Sequence, residues 1–238
     1  MNKLEIINII KDIEEQYKSY KDAGLTFIKH LANKVLNTVD EDKNEVIKFF
    51  LDEIKSNDNG LGEIALLTIV EMRAAEFAPY IEKIYDEIAT QKDENWKQSI
   101  IEALMKLRYV EAKVLYHEYV TSFLNRQPDN AFFLLVQYCN VDHDSALPLL
   151  SEFYVENLLK NDEMQGFLES RIGFLVSYFI QNQVDYLPEL IKQISSKNKD
   201  VGLHLKELIL DYLGSNMTSR YSRVLINNRI EALKNLKV

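Results

Sequence analysis

Apolar residues recur along this chain with a period far longer than one helix or strand would produce. Six reference positions mark the copies: Asn44, Pro79, Lys113, Pro148, Pro188 and Ser222. Their separations are 35, 34, 35, 40 and 34 residues. The position thirteen residues before each reference is apolar in all six copies: Leu31, Leu66, Ile100, Leu135, Leu175 and Ile209. A period of about 20 to 50 residues indicates stacked structural repeats.

The remaining repeat positions support the same register. The positions twelve and nine residues before each reference, and two residues after it, are also apolar in every copy. Two positions break the pattern, Lys43 directly before the first reference and Asn228 six residues after the last. Outer repeats expose one side to solvent, so these two residues predict end caps. Aromatic residues six positions after the first four references are predicted to pack in the core: Phe50, Tyr85, Tyr119 and Tyr154.

Within each copy, apolar residues are spaced by three and four, which predicts a pair of amphipathic helices. The predicted helices span about residues 4–17, 24–39, 42–54, 61–74, 77–90, 94–107, 110–124, 129–140, 145–160, 167–181, 186–196, 200–213 and 218–236. The polar segment 56–60, which ends in glycine, is the clearest break between helices.

Acidic residues predict several helix starts. Asp42, with Glu45 three residues later, has the spacing of an N-cap followed by a reciprocal acid. Asp93 can cap the helix over 94–107, and Asp142 or Asp144 can cap the helix that begins at 145.

Prolines predict where the second helix of three copies begins. Pro79, Pro148 and Pro188 are each tolerated in a first helical turn and would break a helix at its middle. The 40-residue spacing carries extra residues, which we place either in segment 160–166 or in an added turn of the helix over 167–181.

A helix pair of 34 to 40 residues that repeats over about residues 25–238 resembles the HEAT-like and armadillo-like helical repeats. The tetratricopeptide unit has a similar length, but its small packing residues are replaced here by bulky ones. The Asp and Arg ladder of regular HEAT repeats is not evident, so these copies are divergent. The resemblance implies an all-α, right-handed α-solenoid of about six antiparallel helix pairs. It also implies one domain, 1–238, with N-terminal capping helices and first repeat in 1–60, central repeats in 61–196 and a C-terminal capping repeat in 197–238.

Composition agrees with a helical protein that has a substantial core. Apolar residues make up 47% of the chain, and there are only seven glycines and four prolines. A β-sandwich or barrel needs more turn residues. The single cysteine, Cys139, stands at an apolar repeat position, which favours a small buried hydrophobe over a reactive thiol. This cysteine usage, the lack of a long apolar run and the early acids at the N-terminus favour a cytoplasmic protein.

Charge is distributed unevenly. The net charge is −9, with −3 in residues 1–60, −7 in 61–160, −3 in 161–213 and +4 in 214–238. One HEAT-like family consists of DNA alkyl-base glycosylases, whose concave face is basic and rich in tryptophan. This chain has one tryptophan, Trp96, and an acidic middle, which disfavours nucleic acid because phosphate binding depends on Lys and Arg.

No catalytic motif stands out. Gly-rich phosphate loops and the G-x-S-x-G motif are absent, and the four histidines, His30, His117, His143 and His204, are far apart in the sequence. The only local cluster of metal-capable groups is 142–144, which is better explained as a helix cap. We therefore predict no catalytic residues, no metal and no cofactor.

The second helices of the pairs predict a binding surface, because in an α-solenoid they line the inner face. Exposed apolar residues beside polar ones are typical of protein interaction sites. The candidate stripe consists of Lys83, Asp86, Glu87, His117, Val120, Glu152, Val155, Glu156 and Lys192.

The functional prediction is a non-enzymatic helical-repeat scaffold or adaptor that binds a protein partner, with no membrane involvement. The Lys-, Asn- and Ile-rich composition suggests an AT-rich, bacterial genome. In that setting one alternative is an immunity-type protein whose acidic surface neutralises a basic toxin. The other alternative is an enzyme of the DNA-base glycosylase type that uses the concave groove.

Overall fold

The described part of the chain is entirely helical. The structure is a computed structural model that describes residues 3–17, 23–38, 40–56, 60–88, 93–124, 127–160, 162–181, 186–216 and 223–237. These residues form fourteen α-helices and two short 3-10 turns, and no strand occurs among them. The predicted all-α class is confirmed. None of these helices is both long enough and apolar enough to cross a membrane.

The chain divides into two compact units, Met1–Ala112 and Lys113–Val238. Unit 1 contains α1 (Lys3–Tyr17), α2 (Ala23–Leu36), α3 (Asp40–Ser56), α4 (Leu61–Glu71), α5 (Ala78–Ile88) and α6 (Glu94–Lys106), with 3-10 turns at Ala75–Phe77 and Val110–Ala112. Helices that are neighbours in sequence pack together, such as α3 with α4 and α5 with α6. Alternate helices also pack together, α2 with α4, α4 with α6, and α3 with α5.

Unit 2 contains α7 (Lys113–Leu124), α8 (Pro128–Tyr138), α9 (His143–Leu158), α10 (Asp162–Ser170), α11 (Ile172–Gln181), α12 (Leu187–Lys197), α13 (Lys199–Asn216) and α14 (Arg223–Lys234). Here too the contacts join sequence neighbours, as in α8 with α9 and α12 with α13. They also join helices further apart in sequence, α7 with α9, α9 with α12, and α11 with α13.

The repeat pattern predicts the core well. All six residues at the position thirteen before each reference are at most 1% exposed: Leu31, Leu66, Ile100, Leu135, Leu175 and Ile209. Of the predicted core aromatics, Phe50 and Tyr154 are completely buried, whereas Tyr85 and Tyr119 are half-buried. Leu67 and, in the last copy, Val224 depart from the pattern, since they are 39% and 70% exposed.

Helix starts were predicted with mixed success. Asp93 caps α6 as expected, because its Oδ1 accepts a hydrogen bond from the backbone N–H of Trp96 at 3.1 Å. The prediction of Asp42 as an N-cap is wrong, since α3 already begins at Asp40. Asp142 occupies the N-cap position of α9 rather than Asp144, but its Oδ2 accepts from the hydroxyl of Ser145 at 2.8 Å instead of from a backbone N–H.

Two of the three prolines lie where they were predicted. Pro79 and Pro188 are the second residues of α5 and α12. Pro148 is the exception, because α9 begins at His143 and the proline lies inside the helix. A proline there removes the bond to the carbonyl four residues earlier, that of Asp144. Asp144 is exposed, so water can reach that turn.

The extra residues of the 40-residue copy form a separate helix. The predicted single helix over 167–181 is wrong, because the chain forms α10 and α11 with a break at Arg171. Several predicted ends, at Val39, Thr90 and Thr218, and the reference Ser222 lie outside the described residues.

Candidate functional site

A groove in unit 2 is lined entirely by described residues. Its cavity volume is about 650 Å³. We name it the α7–α9 groove after the two helices that supply all of its lining except Lys160, which follows α9. The lining residues are Thr121, Leu124, Leu149, Glu152, Phe153, Glu156, Asn157 and Lys160. Small-molecule pockets typically measure about 300–1,000 Å³, and the volume of the groove falls within that range.

The register of α9 explains why these residues meet. Residues four apart lie on the same face of a helix, one turn above another. The α9 lining therefore forms two adjacent rows. The floor row consists of Leu149, Phe153 and Asn157. The charged row consists of Glu152 and Glu156 on α9, followed by Lys160 in the turn after that helix.

The floor of the groove is mainly apolar. Phe153 is only 4% exposed, while Leu124 and Leu149 are half-buried. Asn157 is 8% exposed, and its Nδ2 donates to the carbonyl of Phe153 at 2.8 Å. This bond satisfies a buried donor within α9 and holds the amide in place.

Two polar side chains of the lining, those of Thr121 and Glu152, already have partners within the protein. The Thr121 hydroxyl donates to the carbonyl of His117 at 2.8 Å. Glu152 Oε2 lies 3.8 Å from Lys197 Nζ, at the end of α12. Both partners of this ion pair are well exposed, so it contributes little to stability.

The other two charges of the row have no ionic partner. Glu156 and Lys160 are both exposed, and neither makes an ion pair within the described part of the chain. An apolar floor beside a carboxylate and an ammonium group can bury apolar side chains of a ligand while pairing with its charges.

The predicted stripe can now be followed residue by residue. Lys83, Asp86 and Glu87 are exposed on α5 of unit 1, and Glu87 Oε2 lies 2.5 Å from Lys55 Nζ on α3. That contact lowers the pKa of Glu87 through the hydrogen bond from Lys55. In unit 2, Glu152 and Glu156 come together in the groove.

The remaining stripe residues of unit 2 differ in their exposure to solvent. His117 and Lys192 are exposed and Val155 is half-buried. The prediction that Val120 is exposed is wrong, because it is completely buried. The core face of α7 runs through Tyr116 and Val120, which are one turn apart and both 0% exposed.

Sequence reasoning missed most of the groove. Leu124, Leu149, Phe153, Asn157 and Lys160 were not predicted as site residues. A signal was present, because 149, 153 and 157 follow one four-residue step and 152, 156 and 160 follow another. Two parallel rows of this kind, one apolar and one charged, mark the edge of a helix face where a groove can form.

The polar clusters that could suggest other chemistry have structural roles. His143 Nε2 lies 3.0 Å from Asp144 Oδ1, and its ring stacks on Tyr186 at 5.0 Å. No group of three or more His, Cys, Asp or Glu residues in the described ranges has the arrangement of a metal site. Cys139 is completely buried, as predicted, and burial raises the pKa of its thiol far above the ordinary value.

Comparison of the chain with models of known protein families, with curated proteins and with solved structures found no match.

Proposed function

We propose that the protein is a non-enzymatic helical-repeat scaffold of the cytoplasm, a right-handed α-solenoid of about six antiparallel helix pairs, which binds a protein partner through the α7–α9 groove. The partner contributes basic and apolar side chains. The proposal concerns the groove in unit 2 and does not depend on the charged residues of α5.

The packing within each unit supports the repeat architecture. Stacked helix pairs bring each helix against its sequence neighbour and against the matching helix of the next pair. Unit 1 has this set of contacts in α2–α4–α6 and in α3–α5. Unit 2 has it in α7–α9–α12 and in α11–α13.

The observation that best supports the proposed binding function is the set of residues that line the groove. Leu124, Leu149 and Phe153 provide an apolar floor, and Glu152 and Glu156 provide carboxylates at its edge. Interfaces combine an apolar centre with a polar rim, and complementary charge selects the partner. A reader of DNA bases needs a positive groove, whereas this lining contains two acids and one base.

The test is co-purification with the tagged full chain from native lysate at low and at high salt. Three proteins are compared: wild type, Glu156→Lys, and Glu207→Lys. Glu207 is an exposed residue of α13 that does not line the groove, so it controls for the change in charge. We expect a partner with wild type and with Glu207→Lys that is lost with Glu156→Lys, and weaker capture at high salt.

Two results would contradict the proposal. One is the absence of any specific partner at either salt concentration. The other is a partner that binds all three proteins equally well, because binding would then not involve the groove. If the captured partner is a basic toxin, the result would favour the immunity-type function over that of a general scaffold.

A further inference from the structure

The charged row of the α7–α9 groove has an order as well as a composition. Glu152, Glu156 and Lys160 follow one another in the sequence in steps of four residues. Glu152 and Glu156 are separated by about 6 Å along α9, and Lys160 lies in the turn two residues after that helix ends. From the start of the row to its end, the charges are therefore negative, negative and positive.

The last two charges of this row, Glu156 and Lys160, do not pair with each other. Glu156 lies in the last turn of α9, and Lys160 lies two residues beyond the end of that helix. No ion pair joins them, and both side chains are exposed. Each of them can therefore pair with a group on a partner without first breaking an existing contact.

The shape of the groove favours a helix as its occupant. The lining is supplied by α7 and α9, which pack side by side, and the ridge of a third helix fits the depression between two such helices. The lining on α9, from Leu149 to Asn157, extends over about 12 Å, or just over two helical turns. The four-residue step of both rows is also the step of a helical partner.

We propose that the α7–α9 groove binds an amphipathic helix whose facing charges run basic, basic, acidic in four-residue steps, opposite Glu152, Glu156 and Lys160. This inference rests on the proposed function and specifies the partner's surface. The apolar face of that helix packs on Leu124, Leu149 and Phe153, which is helix-in-groove recognition. Charge order then sets register and partner choice, as e and g positions do in coiled coils.

The proposal differs from simple attraction of any basic peptide. A polybasic helix would be repelled by Lys160, whereas an acidic residue at the third position turns that repulsion into an attraction. Removal of Lys160 therefore has opposite effects on the two kinds of partner, and this difference provides the test.

The probes are two synthetic helical peptides of about sixteen residues with one leucine face and identical composition. The matched peptide presents Arg, Arg and Glu in four-residue steps, and the permuted peptide presents Arg, Glu and Arg. Binding of each labelled peptide to the full chain is measured by fluorescence anisotropy at low and high salt. We expect the matched peptide to bind about tenfold more tightly at low salt, and the difference to shrink at high salt.

Substitutions then test each pair. Glu156→Gln and Lys160→Glu should each weaken the matched peptide about tenfold, and Glu207→Lys should leave its affinity unchanged. A peptide with Arg at all three positions should bind Lys160→Glu more tightly than it binds wild type. Its third Arg then faces a carboxylate in the variant instead of the ammonium group of Lys160. Circular dichroism confirms that each variant keeps the helical fold, as expected for exposed positions.

The outcomes separate this inference from the proposed function. Equal affinity for the two peptides, or tighter binding of the matched peptide to Lys160→Glu, would show that charge order is not recognised. The same conclusion follows if neither peptide binds although a cellular partner is captured through Glu156. If neither peptide binds and no cellular partner depends on Glu156, the proposed function is wrong as well.

Discussion

Arg73 and Arg108 share a left-handed backbone conformation, with φ angles of 54° and 57°. Arg73 lies two residues after the end of α4, and Arg108 lies two residues after the end of α6. At both helix ends, the N–H of the residue after the arginine donates to a carbonyl five residues earlier. Ala74 donates to Ile69 at 3.3 Å, and Tyr109 donates to Leu104 at 3.2 Å. This is the Schellman pattern, in which glycine is usual because other residues are strained at positive φ.

Arg73→Gly should therefore stabilise the protein. Glycine relieves the steric strain at positive φ, and this gain exceeds the entropy that glycine adds to the unfolded chain. We expect the free energy of unfolding to rise by about 0.5–1 kcal/mol, measured by urea denaturation. Arg73→Ala is the control and should give no such gain, because alanine keeps the Cβ atom. Equal effects of the two substitutions would contradict the role assigned to the backbone strain.

Gly202 allows α12 and α13 to pack closely, and Gly202→Ala should destabilise the protein. A Cβ atom at this position would lie 2.8 Å from the Cα of Ser195, and it would also collide with the hydroxyl of that residue. Because a backbone atom cannot move aside, the two helices must separate, at a cost of about 1–3 kcal/mol. Thermal and urea unfolding would measure this loss.

Gly214 provides the matched control in the same helix. A Cβ atom at Gly214 would meet nothing within 4 Å. Gly214→Ala should therefore stabilise the helix, by up to about 1 kcal/mol. If both alanine substitutions change stability in the same direction, the close approach of α12 and α13 is not what Gly202 provides.

The repeat pattern predicted burial more accurately than it predicted the surface. The position thirteen residues before each reference is buried in all six copies. The side of α7 that is buried could not be predicted as easily from the sequence. This helix has two apolar stripes, one through Leu115 and Tyr119 and another through Tyr116 and Val120. Neighbouring helices bury the second stripe completely and the first only partly.

The groove was predicted only in part for a related reason. Glu152 and Glu156 were recognised because polar residues on an amphipathic helix face outward. The groove also requires Thr121 and Leu124 on α7 to lie beside α9, and that depends on how two helices separated by α8 pack. The sequence of a single chain contains no direct record of that distance.

Tyr154→Phe should leave stability unchanged or raise it. Tyr154 is completely buried, and its hydroxyl has no hydrogen-bond partner among the described residues. Because an unpaired buried hydroxyl is unfavourable, its removal should raise the free energy of unfolding by up to about 1 kcal/mol. Urea denaturation would measure this change.

Tyr109→Phe is the contrasting substitution. The Tyr109 hydroxyl donates to Glu82 Oε2 at 2.9 Å, so its removal should lower the free energy of unfolding by about 1 kcal/mol. A larger loss from Tyr154→Phe than from Tyr109→Phe would mean that the Tyr154 hydroxyl does contribute a stabilising bond.

The pH dependence of stability should include a contribution from Glu169. Its Oε1 accepts a hydrogen bond from Gln165 Nε2 at 2.8 Å and lies 2.9 Å from His204 Nε2. The hydrogen bond from Gln165, followed by that with His204, lowers the pKa of Glu169 below the ordinary 4.5. Since the folded value is the lower one, the ionised carboxylate stabilises the fold above pH 4.5, and this stabilisation disappears as the pH falls through the folded pKa.

Glu169→Gln tests this contribution. Wild type should be more stable than the variant near neutral pH, and the difference should shrink as the pH falls below 4.5. Melting temperatures across that range would measure the difference. Glu163→Gln, at an exposed position of the same helix, should show no such pH-dependent difference from wild type. A constant difference between wild type and Glu169→Gln at every pH would instead mean that the effect of Glu169 does not come from its ionisation.

Val120 and Glu156 together test which side of the second helices faces solvent. Val120 is completely buried, so Val120→Ala should lower the free energy of unfolding by about 2 kcal/mol through lost contacts and the cavity that remains. Glu156→Lys changes an exposed groove residue and should alter stability by less than about 1 kcal/mol. Urea denaturation of both variants would separate the two positions. The opposite order, with Glu156→Lys unfolding the protein and Val120→Ala tolerated, would mean that α7 and α9 present the other face to solvent, and the α7–α9 groove would then lose its structural basis.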